Sequence, residues 1–289
     1  MNVEDFDLTG ALKSGQSFAW QQILPGTFRG IVGTVPCLIR QSDERQLLVW
    51  TSDLDAVCSY LALDHCWAEI ADSFSKEDRI LQEALVFARG LRILRQPLWE
   101  CLAMFLCSSL KQVVHIQQIG QALRQTYGEP LCAFGHRFYT FPTAEVLAAA
   151  GEPALRGLKL GYRAKHLAAL STFVSENPGW LEALAGMSTK DAQSALETLP
   201  GVGTKIAQCV CLFALEKLEA FPIDVWMERV LKHGYGRRKM RGPSLQKFVR
   251  QHFGPYAGYA QQVLFHHARL SKGQSLGMES RSGGRSKRS

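Results

Sequence analysis

The sequence predicts an α+β fold, strands first and helices after, on three observations. Short runs of β-forming residues fill the stretch before Leu54, and a helical spacing of apolar residues takes over there. Much later, Pro200-Gly201-Val202-Gly203 reads as a tight turn between two helices. Strands followed by helices, rather than alternating with them, is the order of an α+β chain.

Four strands are expected: Ser17 to Trp20, Thr27 to Val35, Cys37 to Arg40 and Gln46 to Trp50. They are rich in β formers and are split by Pro25-Gly26, by Pro36 and by the polar segment from Gln41 to Arg45. Beyond them, Leu54, Cys58 and Leu61 form one helical stripe, and Leu81, Leu85 and Ala88 another. The expected organisation is a sheet domain over residues 1–90, a helical domain over 91–270 and a basic tail over 271–289. The tail is rich in Ser and Gly, cannot bury a core and is expected to be disordered. No internal repeat is evident.

The turn at Pro200 can be justified residue by residue. Ser188 is a good N-cap for a helix from Thr189 to Thr198, and Pro200 ends that helix. Gly201 and Gly203 permit positive φ and close backbone approach. The next helix, Thr204 to Leu215, places Ile206, Val210, Phe213 and Ala214 near one face. Lys205 and Cys209, spaced i,i+4, look from a neighbouring face into the same space. Asp224 follows Pro222-Ile223 and reads as the N-cap of a helix from Val225 to Lys232. Backbone N–H groups at the start of the second helix can hold a phosphate, and the lysine beside them is a candidate amine nucleophile. Taken alone, the same residues also describe an ordinary helical hairpin with a surface lysine and a structural cap.

Composition bounds the rest. The 289 residues are 46% hydrophobic, enough for one substantial core or two smaller ones. No apolar run reaches the roughly 18 residues of a membrane span, and the first residues are acidic, unlike a signal peptide. A soluble, unexported, intracellular protein is expected. The eight cysteines include no C-x-x-C pair and are read as reduced thiols. No cysteine follows Asp224, so no iron–sulfur cluster, metal or other cofactor is expected. Of the formal charge of +7, the segment from Lys272 onward supplies five basic residues against one acid. A second basic run, Arg237 to Arg241, is placed in a loop where contact with a phosphate backbone is plausible.

The hairpin with Lys205, Cys209 and Asp224 resembles the helix-hairpin-helix DNA glycosylases, and within them the 8-oxoguanine DNA glycosylase/AP lyase family. Five further segments match in order: Ser14-Gly15-Gln16-Ser17-Phe18, Leu94-Arg95-Gln96, Phe105-Leu106-Cys107-Ser108-Ser109, Leu160-Gly161-Tyr162-Arg163-Ala164, and Gly254 to Gln261. The resemblance runs to about Leu270. It implies a small TBP-like antiparallel-sheet domain beside an all-α domain, with the active site in the cleft between them. It also implies a monomer working on double-stranded DNA that contains oxidised guanine, with no membrane association.

By the same resemblance, Lys205 attacks the deoxyribose C1′ and forms a Schiff base, and Asp224 stabilises the cationic sugar and orients or deprotonates the amine. The amine must be uncharged to attack; burial and the positive end of its helix both favour that form. The target nucleotide must leave the duplex. The carbonyl of Gly15 would accept the N7–H that distinguishes 8-oxoguanine from guanine. Phe265 and Cys209 would sandwich the ring, and Gln261 would read its pairing edge. Gly201 and Gly203 would hold the DNA backbone, Tyr162 would wedge into the duplex, and Arg163 would contact the base opposite the lesion. The chain departs from the family at that opposite base. Leu110-Lys111-Gln112 stand where the family has three asparagines, and His115 where it has a second base-reading arginine. Leu110 can still wedge into a stack, but it cannot hydrogen-bond the estranged cytosine. Trp226 replaces a phosphate-contacting histidine, and Gln208 an aspartate. The alternatives left open are a relative with another lesion preference and a non-catalytic DNA-binding protein.

Overall fold

The computed structural model describes residues 1–109, 112–237 and 242–271. Strands β1 (Gln21–Leu24), β2 (Thr27–Val32), β3 (Val35–Asp43) and β4 (Gln46–Thr51) form one antiparallel sheet in sequence order. Two of the expected strands need correction. Ser17 to Trp20 is not a strand: Ser17 Oγ lies 2.8 Å from the Tyr60 hydroxyl, and Trp20 Nε1 donates to that same oxygen at 2.9 Å. The segment is therefore held by its buried side chains, and ladder pairing begins only at Gln21 opposite Arg29. The run from Thr27 to Val35 is cut at Gly33, whose φ of +60° makes a two-residue turn that sets Val32 against Val35. Strand β3 then continues through the polar stretch as far as Asp43.

The helices are α1 (Leu8–Lys13), α2 (Leu54–Tyr60), α3 (Trp67–Asp72), α4 (Arg79–Phe87), α5 (Leu98–Cys107), α6 (Val113–Tyr127), α7 (Ala144–Leu155) and α8 (Arg163–Glu176). They continue with α9 (Trp180–Ala183), α10 (Thr189–Glu197), α11 (Thr204–Phe213), α12 (Val225–Arg229), α13 (Gly242–Phe253) and α14 (Ala257–Leu270). A second hairpin, β5 (Pro130–Ala133) with β6 (His136–Tyr139), interrupts them. In α2 the buried face is Val57 and Tyr60, and Leu61 just after it is buried as expected; of the expected stripe, Cys58 is half-buried and only Leu54 is exposed. The stripe of Leu81, Leu85 and Ala88 is buried as expected.

Two cores result. One gathers Phe28, Ile39 and Leu47 of the sheet with Leu8, Leu12, Val57, Tyr60 and Leu94. The other fills the helical body and takes in Trp67, Ile70, Leu81 and Leu85 from helices that precede residue 90. The chain thus passes from one core to the other and back between Leu61 and Leu94. No described helix is long and apolar enough to cross a membrane.

Gln16 fastens the sheet core to the helical body. Its amide donates to the carbonyls of Ala11 (3.1 Å) and Arg92 (2.7 Å), and its oxygen accepts from Leu94 N at 2.8 Å. The Gln96 side chain donates in turn to the Gln16 carbonyl at 2.7 Å. The loop carrying Gly15 is fixed by these bonds rather than by regular secondary structure.

Candidate active site

The hairpin forms as its residues dictate. Ser188 caps α10 by accepting from Asp191 N, and Gly201 turns the chain with φ of +79°. A Cβ at Gly201 would sit 2.7 Å from the ring of His166, so only glycine fits. Gly203 precedes α11 with extended backbone, and no side chain caps that helix. Its first N–H groups are the free donors that a phosphate requires.

Lys205, in the first turn of α11, is half-buried. Its Nζ donates to Ser108 Oγ at 3.2 Å and lies 5.0 Å from the centre of the Phe105 ring. Ser108 spends its own proton on the Phe105 carbonyl at 2.6 Å, which leaves its lone pairs for the amine. Asp224 caps α12, its Oδ1 accepting from Met227 N at 2.9 Å. Burial pushes the Asp224 carboxyl above the usual carboxylate range; the cap bond and the Lys205 charge pull the other way without cancelling it. Burial also pushes the Cys209 thiol up to about 11, so it stays uncharged at neutral pH.

Six of the expected site residues, Gly15, Lys205, Cys209, Asp224, Gln261 and Phe265, line a single cleft of about 50 Å³. Two larger grooves, of about 360 and 850 Å³, lie elsewhere. Neither holds a lysine beside a half-buried carboxylate, and chemistry rather than size selects the small cleft. Gln261 is buried with no hydrogen-bond partner for its Oε1 among the described residues. An acceptor left unpaired in a protein interior is costly unless a ligand completes it. Gly15 holds φ of +90°, and a Cβ there would meet Arg269 Nη1 at 3.2 Å, Val113 Cγ2 at 3.3 Å and Phe265 Cε1 at 3.4 Å.

The residues expected to touch DNA are less uniformly placed. Tyr162 is exposed at the start of α8, and His115 is exposed in the first turn of α6. Trp226 is half-buried, with the Arg229 guanidinium 5.3 Å from its ring. Arg163 does not project outward as expected. It is buried, donates to the carbonyls of Leu160 and Ser109, and lies 4.4 Å from the Tyr162 ring centre. Its Nε is buried without a hydrogen-bond partner among the described residues. Leu110 and most of the basic run after Arg237 lie outside the described residues, as does the tail from Lys272. Among the described residues no group of three or more His, Cys, Asp or Glu side chains is arranged to hold a metal ion.

Sequence reading assigned no role to Ser108, Phe105, Gln262 or Arg269, all of which contact the site. Ser108 and Phe105 belong to a matched segment, so the signal was present. Gln262 and Arg269 tie α14 to the Gly15 loop: Gln262 Nε2 reaches the Ser14 carbonyl at 3.5 Å and Arg269 Nη2 the Lys13 carbonyl at 2.5 Å.

A family model described as the 8-oxoguanine DNA glycosylase N-terminal domain matches residues 1–102. The chain is 30% identical to the probable N-glycosylase/DNA lyase of Methanothermobacter thermautotrophicus, over 93% of this chain and 95% of that one. The chain belongs to the 8-oxoguanine DNA glycosylase family of N-glycosylase/DNA lyases. It is also 32% identical to the N-glycosylase/DNA lyase OGG1 of Arabidopsis thaliana, over 87% of this chain and 74% of that one. Among solved structures it matches the Clostridium acetobutylicum 8-oxoguanine glycosylase/lyase bound to DNA with cytosine opposite 8-oxoG. That match has a TM-score of 0.87 at 27% identity, covering 93% of this chain and 94% of that one. A 3-methyladenine DNA-glycosylase from Archaeoglobus fulgidus shares the fold alone, at a TM-score of 0.76 and 19% identity.

Proposed function

We propose that this family member is a bifunctional base excision repair enzyme that removes 8-oxoguanine from duplex DNA and then cleaves the strand. The observation that carries the reading is the cleft itself. A hairpin-borne lysine, a half-buried carboxylate and an unpaired amide acceptor meet at the loop of Gly15. The Lys205 amine attacks C1′ as the bond from C1′ to the base breaks, and the departing base takes up a proton. Loss of the C1′–O4′ bond then gives a Schiff base between Lys205 and the opened sugar. Removal of a C2′ proton expels the 3′ phosphate. Asp224 supplies negative charge opposite the cationic sugar, inside a cleft where such charge acts strongly.

The base-reading roles of Gly15, Cys209, Gln261 and Phe265 rest on their shared cleft. The DNA-backbone roles of Gly201 and Gly203 rest on the uncapped start of α11. The division into a sheet domain to about residue 90, a helical domain to 270 and a basic tail belongs to the same proposal, as does an intracellular monomer acting on DNA. Borohydride trapping on abasic duplex, with excision assays on oxidised and alkylated bases, tests the reading. It predicts a covalent complex and a preference for 8-oxoguanine. Absence of trapping would reduce the chain to a DNA binder, and preference for an alkylated base would reassign the pocket.

A further inference from the structure

Strands β1 and β2, helix α6 and the β5–β6 hairpin enclose a groove of about 360 Å³ that the chemistry above does not use. Its polar lining is neutral amides, the Tyr139 hydroxyl and cations, of which Arg124 is paired with Glu100 behind the groove. Gln117, Gln121 and Gln125 come from one face of α6, and Lys13, Arg29 and Arg137 stand around them. No aspartate or glutamate lines the groove, and among the described residues none pairs with Lys13, Arg29 or Arg137. Gln21 and Gln22 are the side-chain partners of Arg29 and Lys13. Those two cations are thus oriented without being neutralised.

The other end of the small sheet is the reverse. A groove there is lined by Glu4, Asp5, Asp7, Asp43 and Glu44, with only two arginines, one of them paired to Asp5. The sheet domain is therefore polarised, and a polyanion is attracted to one edge and repelled from the other.

The amide-lined groove also adjoins the base pocket. Lys13 lies two positions before Gly15, and Val113, which begins α6, is the residue whose Cγ2 would sit 3.3 Å from a Gly15 Cβ. Val114 then lines the groove itself. We infer that this groove is a second nucleic-acid site, which takes the sugar–phosphate backbone of DNA flanking the lesion. The amides would bond phosphate and sugar oxygens while the three cations displace counterions. From Val114 to Gln125 the helix rises about 16 Å, the length of roughly five phosphates of one B-DNA strand. The inference rests on the proposed DNA-repair function, so its test must separate the two.

The test is the triple variant Lys13→Gln, Arg29→Gln, Arg137→Gln, assayed beside wild type on a long duplex and on one truncated to the few pairs around the lesion. Three lost phosphate contacts should make the slope of log K against log salt shallower by about 2.7 on the long duplex, and leave it unchanged on the short one. Single-turnover excision on the short duplex at saturating enzyme should match wild type, which reports on the active site independently. Equal slopes for both proteins on the long duplex would overturn the inference. An equal change on both duplexes would do so too, because it places the cations at the lesion. A deoxynucleoside monophosphate that binds wild type but not the variant, with unchanged DNA slopes, would make the groove a free-nucleotide site and also overturn it.

Discussion

Replacing Asp224 by asparagine should separate its chemistry from its structural work. Asparagine keeps an oxygen where Oδ1 accepts from Met227 N, and it caps helices about as well as aspartate. What is lost is the charge at the helix N-terminus, worth about 0.3–1 kcal/mol. What is gained is relief from holding a carboxylate in a buried place. The sign follows from the raised pKa. Stability from a group whose folded pKa is raised is present below the unfolded value of 3.8 and is lost as pH rises through the folded value. At neutral pH the ionised Asp224 is therefore a net cost, and Asp224→Asn should leave the fold as stable as wild type or more stable. Any rise in Tm should shrink as pH falls toward 4. Excision should fall by about 10²–10³-fold, the loss typical of removing one electrostatic stabiliser of a transition state. Calorimetry at pH 7 and pH 4, with single-turnover excision of 8-oxoguanine, measures both. A loss of 2 kcal/mol or more at pH 7, with activity falling only as the folded fraction falls, would make Asp224 a structural cap and refute the argument.

The same raised pKa predicts that wild-type excision declines on the acid side at a higher pH than an exposed aspartate would allow, a limb that a pH–rate profile should show and Asp224→Asn should lack. Lys205→Gln should abolish excision and borohydride trapping while a filter-binding assay finds DNA affinity largely retained; normal trapping would sink the assignment. Gly15→Ala should cost about 1–2 kcal/mol from its φ of +90° and weaken discrimination between 8-oxoguanine and guanine in competition assays. Unchanged selectivity would mean the pocket is elsewhere. With Leu110 and His115 in place of an asparagine and an arginine, preference for cytosine over adenine opposite the lesion should be weaker than in relatives with the full set and should gain from Leu110→Asn with His115→Arg, measured against all four opposite bases. Strict cytosine selection by wild type, with no gain in the double variant, would overturn that reading.

What could be read from sequence was what is local. The hairpin is written in contiguous caps and turn residues, so Ser188, Gly201 and Asp224 behave as their positions dictate. The missed β5–β6 hairpin turns on Phe134 and Gly135, with φ of +51° and +72°. A phenylalanine in the place where asparagine or aspartate usually signals such a turn hides it from a reading by residue type. Ser17 to Trp20 was misread for a related reason. Its β-forming residues are held by Tyr60, far along the chain, and not by a neighbouring strand.

The candidate cleft shows the limit most clearly, because it exists only where distant parts of the chain meet. Gln262 and Ser14 are 248 residues apart in sequence, yet their bond seats α14 on the Gly15 loop. Gln16 and Gln96 seat that loop on the helical body. The Gln261 oxygen is buried and unpaired there, and no spacing in the sequence announces it. Arg163 makes the converse point. Its type suggests contact with a base, but the Leu160 and Ser109 carbonyls hold its guanidinium inward. Contact with an opposite base through the outer Nη groups would exchange those hydrogen bonds for new ones, and the free energy of that exchange would subtract from whatever selectivity Arg163 provides.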